Sequence, residues 1–351
     1  MRQSGDALAW LVELGGVVLL AAGTISFVLL LWLKPMLKQY ALAKPDVRSS
    51  HKTPTPQGGG IAVIAATVVA FATIAIFFPT LIKEPCRLAV VFVSVIGLAV
   101  VGITDDIRPI AALPRLLLQA VAVVAVVVSL PADLRLLEVL PWWLERVLIF
   151  VAVLWFVNLV NFMDGIDWMS VVEVVPVSAG LSLFGLMGAL SWDATLVALA
   201  LCGAMVGFAP FNRPVAQLFL GNVGSLPIGL FLGWLLILLA GSGCLAAALI
   251  LPLYYLADAT ITLLCRLINR EPVLQAHRSH FYQQAIDGKL GVYQVVSRVF
   301  ALNIILIGFA TVTVMTKSTM VHIIMLVASS AMVGILLWNF RHAHRGLLPH
   351  G

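Results

Sequence analysis

Residues 146–167 read RVLIFVAVLWFVNLVNFMDGID. The 17 positions from Val147 to Met163 carry no ionisable side chain, and the run then ends in Asp164-Gly165-Ile166-Asp167. The hydrocarbon core of a bilayer asks for roughly 20 predominantly apolar residues, with a lower bound near 17. The run is therefore read as a membrane span with a polar end. Over 351 residues the chain is 62% hydrophobic and only 11% charged, and its mean hydropathy is +1.07. A soluble globule does not fit these values.

The same pattern recurs along the chain. It gives eleven expected spans, at 11–33, 60–78, 87–103, 115–130, 146–162, 171–190, 194–210, 225–240, 243–264, 297–314 and 320–339. The fold class expected is an all-α integral membrane protein. The first run is too long for a signal-peptide core and has no clear small-residue cleavage site, so it reads as a retained span. Residues 1–351 form one polytopic domain, with long loops near 34–59 and 265–296. The segment Pro131–Arg146 (PADLRLLEVLPWWLER) mixes apolar and charged residues around Trp142 and Trp143. It is expected to be an interfacial helix at the outer headgroup level. The four cysteines have no CxxC spacing, and neither a disulfide nor a metal role is assigned to them.

The net charge of +5 does not point to nucleic acid, because the basic residues are one-sided. With the N-terminus outside and the spans alternating, 15 of the 21 Lys and Arg residues fall on the inner side. The positive-inside rule then places the N-terminus outside and the C-terminus in the cytoplasm. The polar clusters between the spans fall on that same inner side. Ionisable groups are costly in a bilayer, so a one-sided collection of them reads as a site.

Four clusters carry chemistry. Thr104-Asp105-Asp106 ends the third span. Its adjacent carboxylates suit metal or phosphate chemistry, or else form a solvated capping turn. Asn158, Asn161, Asp164 and Asp167 end the fifth span. Asn158 and Asn161 are three apart and can share a helix face, and the amide and carboxylate oxygens are hard donors suited to Mg²⁺. Asn212-Arg213-Pro214 and Phe219-Leu220-Gly221-Asn222-Val223-Gly224-Ser225 precede the eighth span. Their small residues permit close backbone approach. His277-Arg278-Ser279-His280 lies in the longest inner loop and reads as an anion-binding or simply basic segment. A further basic loop, Arg48 to Gly60 with Lys52, can meet phosphate, substrate or lipid headgroups.

Taken in order, these motifs resemble those of the polyprenyl-phosphate N-acetylhexosamine-1-phosphate transferases (glycosyltransferase family 4). The matching stretches are R-S-S-H-K-T-P-T-P-x-G-G-G, T-D-D with Arg115 and Gln119 downstream, N-x-x-N-x-x-D-G-I-D, F-L-G-x-V-G-S and A-H-R-S-H-x-Y-Q. They cover about residues 44 to 284, and the last form is most similar to the O-antigen-initiating branch. The resemblance implies eleven spans in the bacterial inner membrane, a cytoplasmic site, Mg²⁺ as cofactor and a possible homodimer. It implies transfer of sugar-1-phosphate from a UDP-N-acetylamino sugar to undecaprenyl phosphate, with release of UMP. By the same resemblance Asp105, Asp106 and Asp164 belong to the catalytic centre. Asn161 is similar to a metal-site amide, Asp167 to a base-recognition position, and His277, Arg278 and His280 to the diphosphate-contacting motif. Lys52, Asn158 and Asn212 join the substrate-binding set. The family pattern has Asp, a principal magnesium ligand, where this chain has Asn222. Impaired turnover is the expectation that follows.

Two other classes compete for these residues. A secondary transporter would hold its substrate near the membrane midplane at broken helices. Here the ionisable groups collect at span ends, and Glu173 and Asp258 are the best candidates for buried charge. A CDP-alcohol phosphotransferase would need D-G-x-x-A-R, whereas Asp164-Gly165 is followed by Ile166-Asp167-Trp168-Met169.

Overall fold

A computed structural model describes residues 2–40, 42–43, 55–272, 277–288 and 290–345. Lys52 lies outside the described residues. Thirteen α-helices occur among them: α1 (Arg2–Tyr40), α2 (Gly60–Phe77), α3 (Pro85–Ile107), α4 (Ala112–Ser129), α5 (Trp142–Met163), α6 (Met169–Leu186), α7 (Trp192–Asn212), α8 (Asn222–Leu239), α9 (Leu245–Ile250), α10 (Leu253–Ile268), α11 (Phe281–Asp287), α12 (Val292–Met315) and α13 (Thr319–Arg345). A two-residue antiparallel pair, β1 (Leu42–Ala43) with β2 (Thr55–Pro56), closes the loop after α1. The protein is an all-α integral membrane protein.

Among the described residues, ten helical runs are long and apolar enough to cross a bilayer. One of them, Asn222–Ile250, is broken at Gly243, whose φ of +88° is left-handed. Such a conformation costs an L side chain free energy and glycine almost none. The expected span 243–264 is then built from two pieces, α9 and α10, parted at Leu251-Pro252. Proline removes one helical N–H and clashes with the preceding turn, so neither piece is long enough to be counted alone.

The enclosed centre is formed by α6, α7 and α8, whereas α4 and α13 expose most of their surface. Exposed side chains on α4, including Leu117, Val121 and Val128, are apolar, as a lipid-facing surface requires. Several polar side chains inside the spans find partners locally or across helices. Thr67 and Ser178 donate to carbonyls one turn back. Trp155 Nε1 on α5 donates to Thr260 on α10 at 3.1 Å. Asn303 on α12 donates to Glu173 on α6 at 2.7 Å.

The segment expected as an interfacial helix, Pro131–Arg146, is helical only from Trp142 onward. Residues 131–141 run as turns, and α5 begins at Trp142. The buried Glu145 carboxylate accepts the N–H groups of Leu136 and Leu137 and the Arg135 guanidinium. Arg146 Nη2 donates to the carbonyls of Pro131 and Leu134, at 2.6 and 3.0 Å. These charged side chains supply partners to backbone groups that a helix would have paired internally, and they fold the segment onto the end of α5.

The end of the bundle that carries the motifs depends on close backbone contact. Gly60 N–H donates to Leu220 O at 2.9 Å and Gly59 N–H to Phe219 O at 2.9 Å. A Cβ on Gly60 would lie 2.2 Å from Gly224 Cα. Gly60→Ala should therefore separate the starts of α2 and α8 at a cost of about 1–3 kcal/mol. A thermal unfolding scan in detergent checks this, and an unchanged Tm would contradict it.

Candidate active site

Asp105 and Asp106 close α3 at the point where α8 begins. Asp106 Oδ1 accepts the Asn222 N–H at 3.0 Å and Oδ2 accepts the Val223 N–H at 3.2 Å. The first N–H groups of a helix lack intrahelical partners and carry partial positive charge. Asp106 thus ties the end of one helix to the start of another, and Gln57 Nε2 donates to its carbonyl at 2.9 Å. Asp105 is held differently. Its Oδ1 accepts the Ile110 N–H at 2.8 Å. Its Oδ2 accepts Arg115 Nη1 and Asn222 Nδ2, both at 2.8 Å. Asn222 Oδ1 in turn accepts Asn161 Nδ2, which also reaches Ser225 Oγ at 2.8 Å. Three sequence motifs become one hydrogen-bonded junction here.

The end of α5 supplies the next layer. Asn158 and Asn161 do not serve one partner. Asn158 Nδ2 donates to Gln119 Oε1 on α4 at 2.8 Å, while Asn161 turns to α8. Asp164 accepts Ser170 Oγ at 2.6 Å. Part of Asp164 stays open, yet burial pushes its carboxyl up to about 7, the Asp106 and Asp167 charges add to the rise, and the Ser170 hydrogen bond opposes it. Asp167 is buried and accepts the Ala216 N–H at 2.9 Å. Asn212, also buried, accepts the Trp168 N–H at 2.8 Å and donates to Leu218 O at 3.0 Å. Asp167 and Asn212 therefore brace the loop between α7 and α8 against the turn before α6. Trp168 sits in that turn at φ +62°, a strained conformation for a bulky residue. Its N–H is fixed by Asn212 and its indole Nε1 donates to Ala209 O at 2.7 Å.

The His277–His280 segment is brought to the same end by a residue outside the motifs. Asp258 on α10 is fully buried. Its Oδ1 faces His280 Nδ1 at 3.1 Å and accepts the Phe281 N–H at 3.1 Å, and its Oδ2 accepts the Tyr282 N–H at 3.3 Å. Tyr282 then donates to Phe162 O at 3.3 Å, over Gly165, where a Cβ would lie 2.1 Å from the phenol oxygen. The rings of His277 and His280 are 5.0 Å apart, and Arg278 Nη2 bonds Asp287 at 2.9 Å. The site set read from the motifs did not contain Asp258. Its signal was its position as a lone carboxylate inside LYYLADATITLL, which lipid would not tolerate unpaired.

The donors gathered here, carboxylate and amide oxygens, suit a hard divalent cation. Among the described residues no three His, Cys, Asp or Glu side chains come together as a ready cation cage. The arrangement fits the mode in which Mg²⁺ takes one or two carboxylates and completes its shell with phosphates and water. Removing Asp258 should undock the His277–His280 segment. Asp258→Ala leaves buried donors unpaired, each costing about 1–3 kcal/mol, so Tm should fall and limited proteolysis should cut within 277–288. Asp258→Asn, which keeps one acceptor, should lose less. Equal protease resistance in all three forms would contradict this role.

Residues 88–240 match the profile of the family described as Glycosyl transferase family 4. The chain is 26% identical over 316 residues to a probable undecaprenyl-phosphate N-acetylglucosaminyl 1-phosphate transferase of Bacillus subtilis, covering 83% of this chain and 82% of the relative. It is 28% identical over 219 residues to a phospho-N-acetylmuramoyl-pentapeptide-transferase of Sulfurimonas denitrificans, covering 54% and 62%. A protein of the same description from Wolinella succinogenes is 39% identical over 95 residues, covering 23% and 27%. The matched region runs from α3 into α8 and so holds both sides of the Asp106–Asn222 junction; it is over this region that the chain is similar to glycosyl transferase family 4.

Proposed function

We propose that this chain transfers an N-acetylamino-sugar-1-phosphate from a UDP-sugar to undecaprenyl phosphate, releases UMP, and so starts a cell-envelope glycan such as O-antigen. The observation that carries this reading is the convergence of Asp105, Asp106, Asn161, Asn222 and the docked His277–His280 segment on one end of the bundle. A lipid phosphate rides at the membrane surface and a sugar nucleotide arrives from water. A site at helix ends holds both and converts their encounter into an oriented one.

In this reading an oxygen of the lipid phosphate attacks the β-phosphorus of the UDP-sugar. The bond from that phosphorus to the bridging oxygen breaks, and UMP leaves with the electron pair. The second ionisation of a phosphate ester lies near about 6, so the acceptor needs little help from a base. Every carboxylate oxygen of Asp105 and Asp106 already accepts a hydrogen bond, which favours direct attack over a covalent carboxylate adduct. His277, Arg278 and His280 would bind the diphosphate, and Asp167 the base. Asn161 and Asn222 would hold Mg²⁺ through their amide oxygens. Bound there, Mg²⁺ would supply charge neutralisation across the diphosphate.

Asn222 explains why turnover should be low. Its Nδ2 donates to Asp105 Oδ2 at 2.8 Å. A carboxylate in that place would meet Asp105 charge to charge, a repulsion of roughly 6 kcal/mol at an effective dielectric of 20. A cation or a proton shared between the two would relieve it. The amide relieves it with a hydrogen instead. Asn222→Asp should raise UMP release markedly in detergent with undecaprenyl phosphate, Mg²⁺ and a panel of UDP-N-acetyl sugars. Equal turnover in both forms would contradict the role given to position 222, and no UMP from either form with any donor would contradict the function.

The orientation proposed, N-terminus outside and site in the cytoplasm, is tested by two exposed cysteines, Cys86 and Cys265. An impermeant maleimide should label Cys86 in intact cells and Cys265 only after permeabilisation. The reverse pattern would invert the topology.

A further inference from the structure

A second polar cleft lies apart from the Asp105–Asn222 junction, between α10, α11 and α13. Its volume is about 190 Å³, and its lining includes Cys265, Arg266, Asn269, Ser279, Gln284 and Arg341. Arg266 is buried, and its guanidinium reaches Ser279 Oγ at 3.0 Å, Glu271 at 2.8 Å and Pro272 O at 2.9 Å. Its Nε is buried with no hydrogen-bond partner among the described residues. Arg341 is exposed on α13 and has no hydrogen bond or ion pair among the described residues. Two guanidinium groups thus face one carboxylate, Glu271, and the cleft is cationic.

The two helices that flank the cleft carry exposed apolar side chains close in sequence to its lining, Leu264, Leu267 and Ile268 on α10 and Ile335 and Trp338 on α13. A soluble anion would gain nothing from those faces. An amphiphile would gain from both parts, with its phosphate on the arginines and its acyl chains along the exposed helix faces. Basic pockets between membrane helices bind lipid headgroups in this way, and tryptophan favours the same depth. We propose that this cleft binds the headgroup phosphate of an anionic glycerophospholipid. The occupant also touches the catalytic end. Arg266 holds Ser279, and Gln284 Nε2 donates to Ser279 O at 2.7 Å. Ser279 lies between Arg278 and His280, so bound lipid steadies the segment that Asp258 docks from the other side.

Cys265 lines the cleft and is exposed, which makes it a reporter, and exposed Cys86 at the start of α3 serves as its internal control. The full-length protein is placed in nanodiscs of phosphatidylcholine alone or with phosphatidylglycerol, and N-ethylmaleimide alkylation of each cysteine is followed by peptide mass spectrometry. Phosphatidylglycerol should slow Cys265 several-fold and leave Cys86 unchanged. The difference should vanish in Arg341→Gln, whose Cys265 should react in phosphatidylcholine at the wild-type rate. Parallel arms add inorganic phosphate or undecaprenyl phosphate to the phosphatidylcholine discs. Equal slowing of both cysteines, protection that survives Arg341→Gln, or protection by inorganic phosphate or undecaprenyl phosphate without protection by phosphatidylglycerol would each overturn the proposal.

Discussion

Asp106 places both carboxylate oxygens on the first two N–H groups of α8, and the end of the bundle that carries the motifs is arranged around that cap. The first N–H groups of a helix have no intrahelical partner and must find acceptors elsewhere where they are partly buried. A carboxylate from a neighbouring helix supplies acceptors and an opposite charge together. The cap fixes α3 against α8 and sets the position of Asn222. From Asn222 the connections run to Asp105, Arg115 and Asn161. The backbone bonds from Gly59 and Gly60 bring in α2.

The junction shows how one atom's chemistry changes what a site requires. Adjacent carboxylates at a helix end need compensation. Arg115 compensates Asp105, and the helix start compensates Asp106. The remaining position, Asn222, is filled by an amide that donates to one neighbour and accepts from another. It completes the network with no charge of its own. Structural satisfaction and metal affinity pull in opposite directions here, since an unrelieved carboxylate both strains a site and draws an ion into it.

Asp258 plays for the His277–His280 segment the part that Asp106 plays for α8. It accepts the N–H groups of Phe281 and Tyr282 at the start of α11 and faces the His280 ring. Tyr282 carries the contact across to α5. On the opposite side Arg266 holds Ser279. The short segment that bears two histidines and an arginine is thus clamped between a buried anion and a buried cation, both from α10. The helix that carries both clamps starts at Leu253, directly after the break at Leu251-Pro252.

The sequence by itself determined the class of the protein. Apolar runs separated by polar clusters leave a chain no stable place except a bilayer, because the cost of burying charge in lipid sorts residues along the chain. For the same reason Asp105, Asp106, Asn158, Asn161 and Asn222 could be picked out before any contact was known. The tertiary structure decided what these residues do to one another. Asn158 and Asn161 are three apart, yet one turns to Gln119 and the other to Asn222. Asn212 and Asp167 brace a loop. Residues 131–141 fold as turns around Glu145 and Arg146 where their composition had suggested a helix. Hydropathy is a property of single residues and is legible along a line. A hydrogen-bond partner is a property of position in space, and only the packing of helices far apart in sequence supplies it.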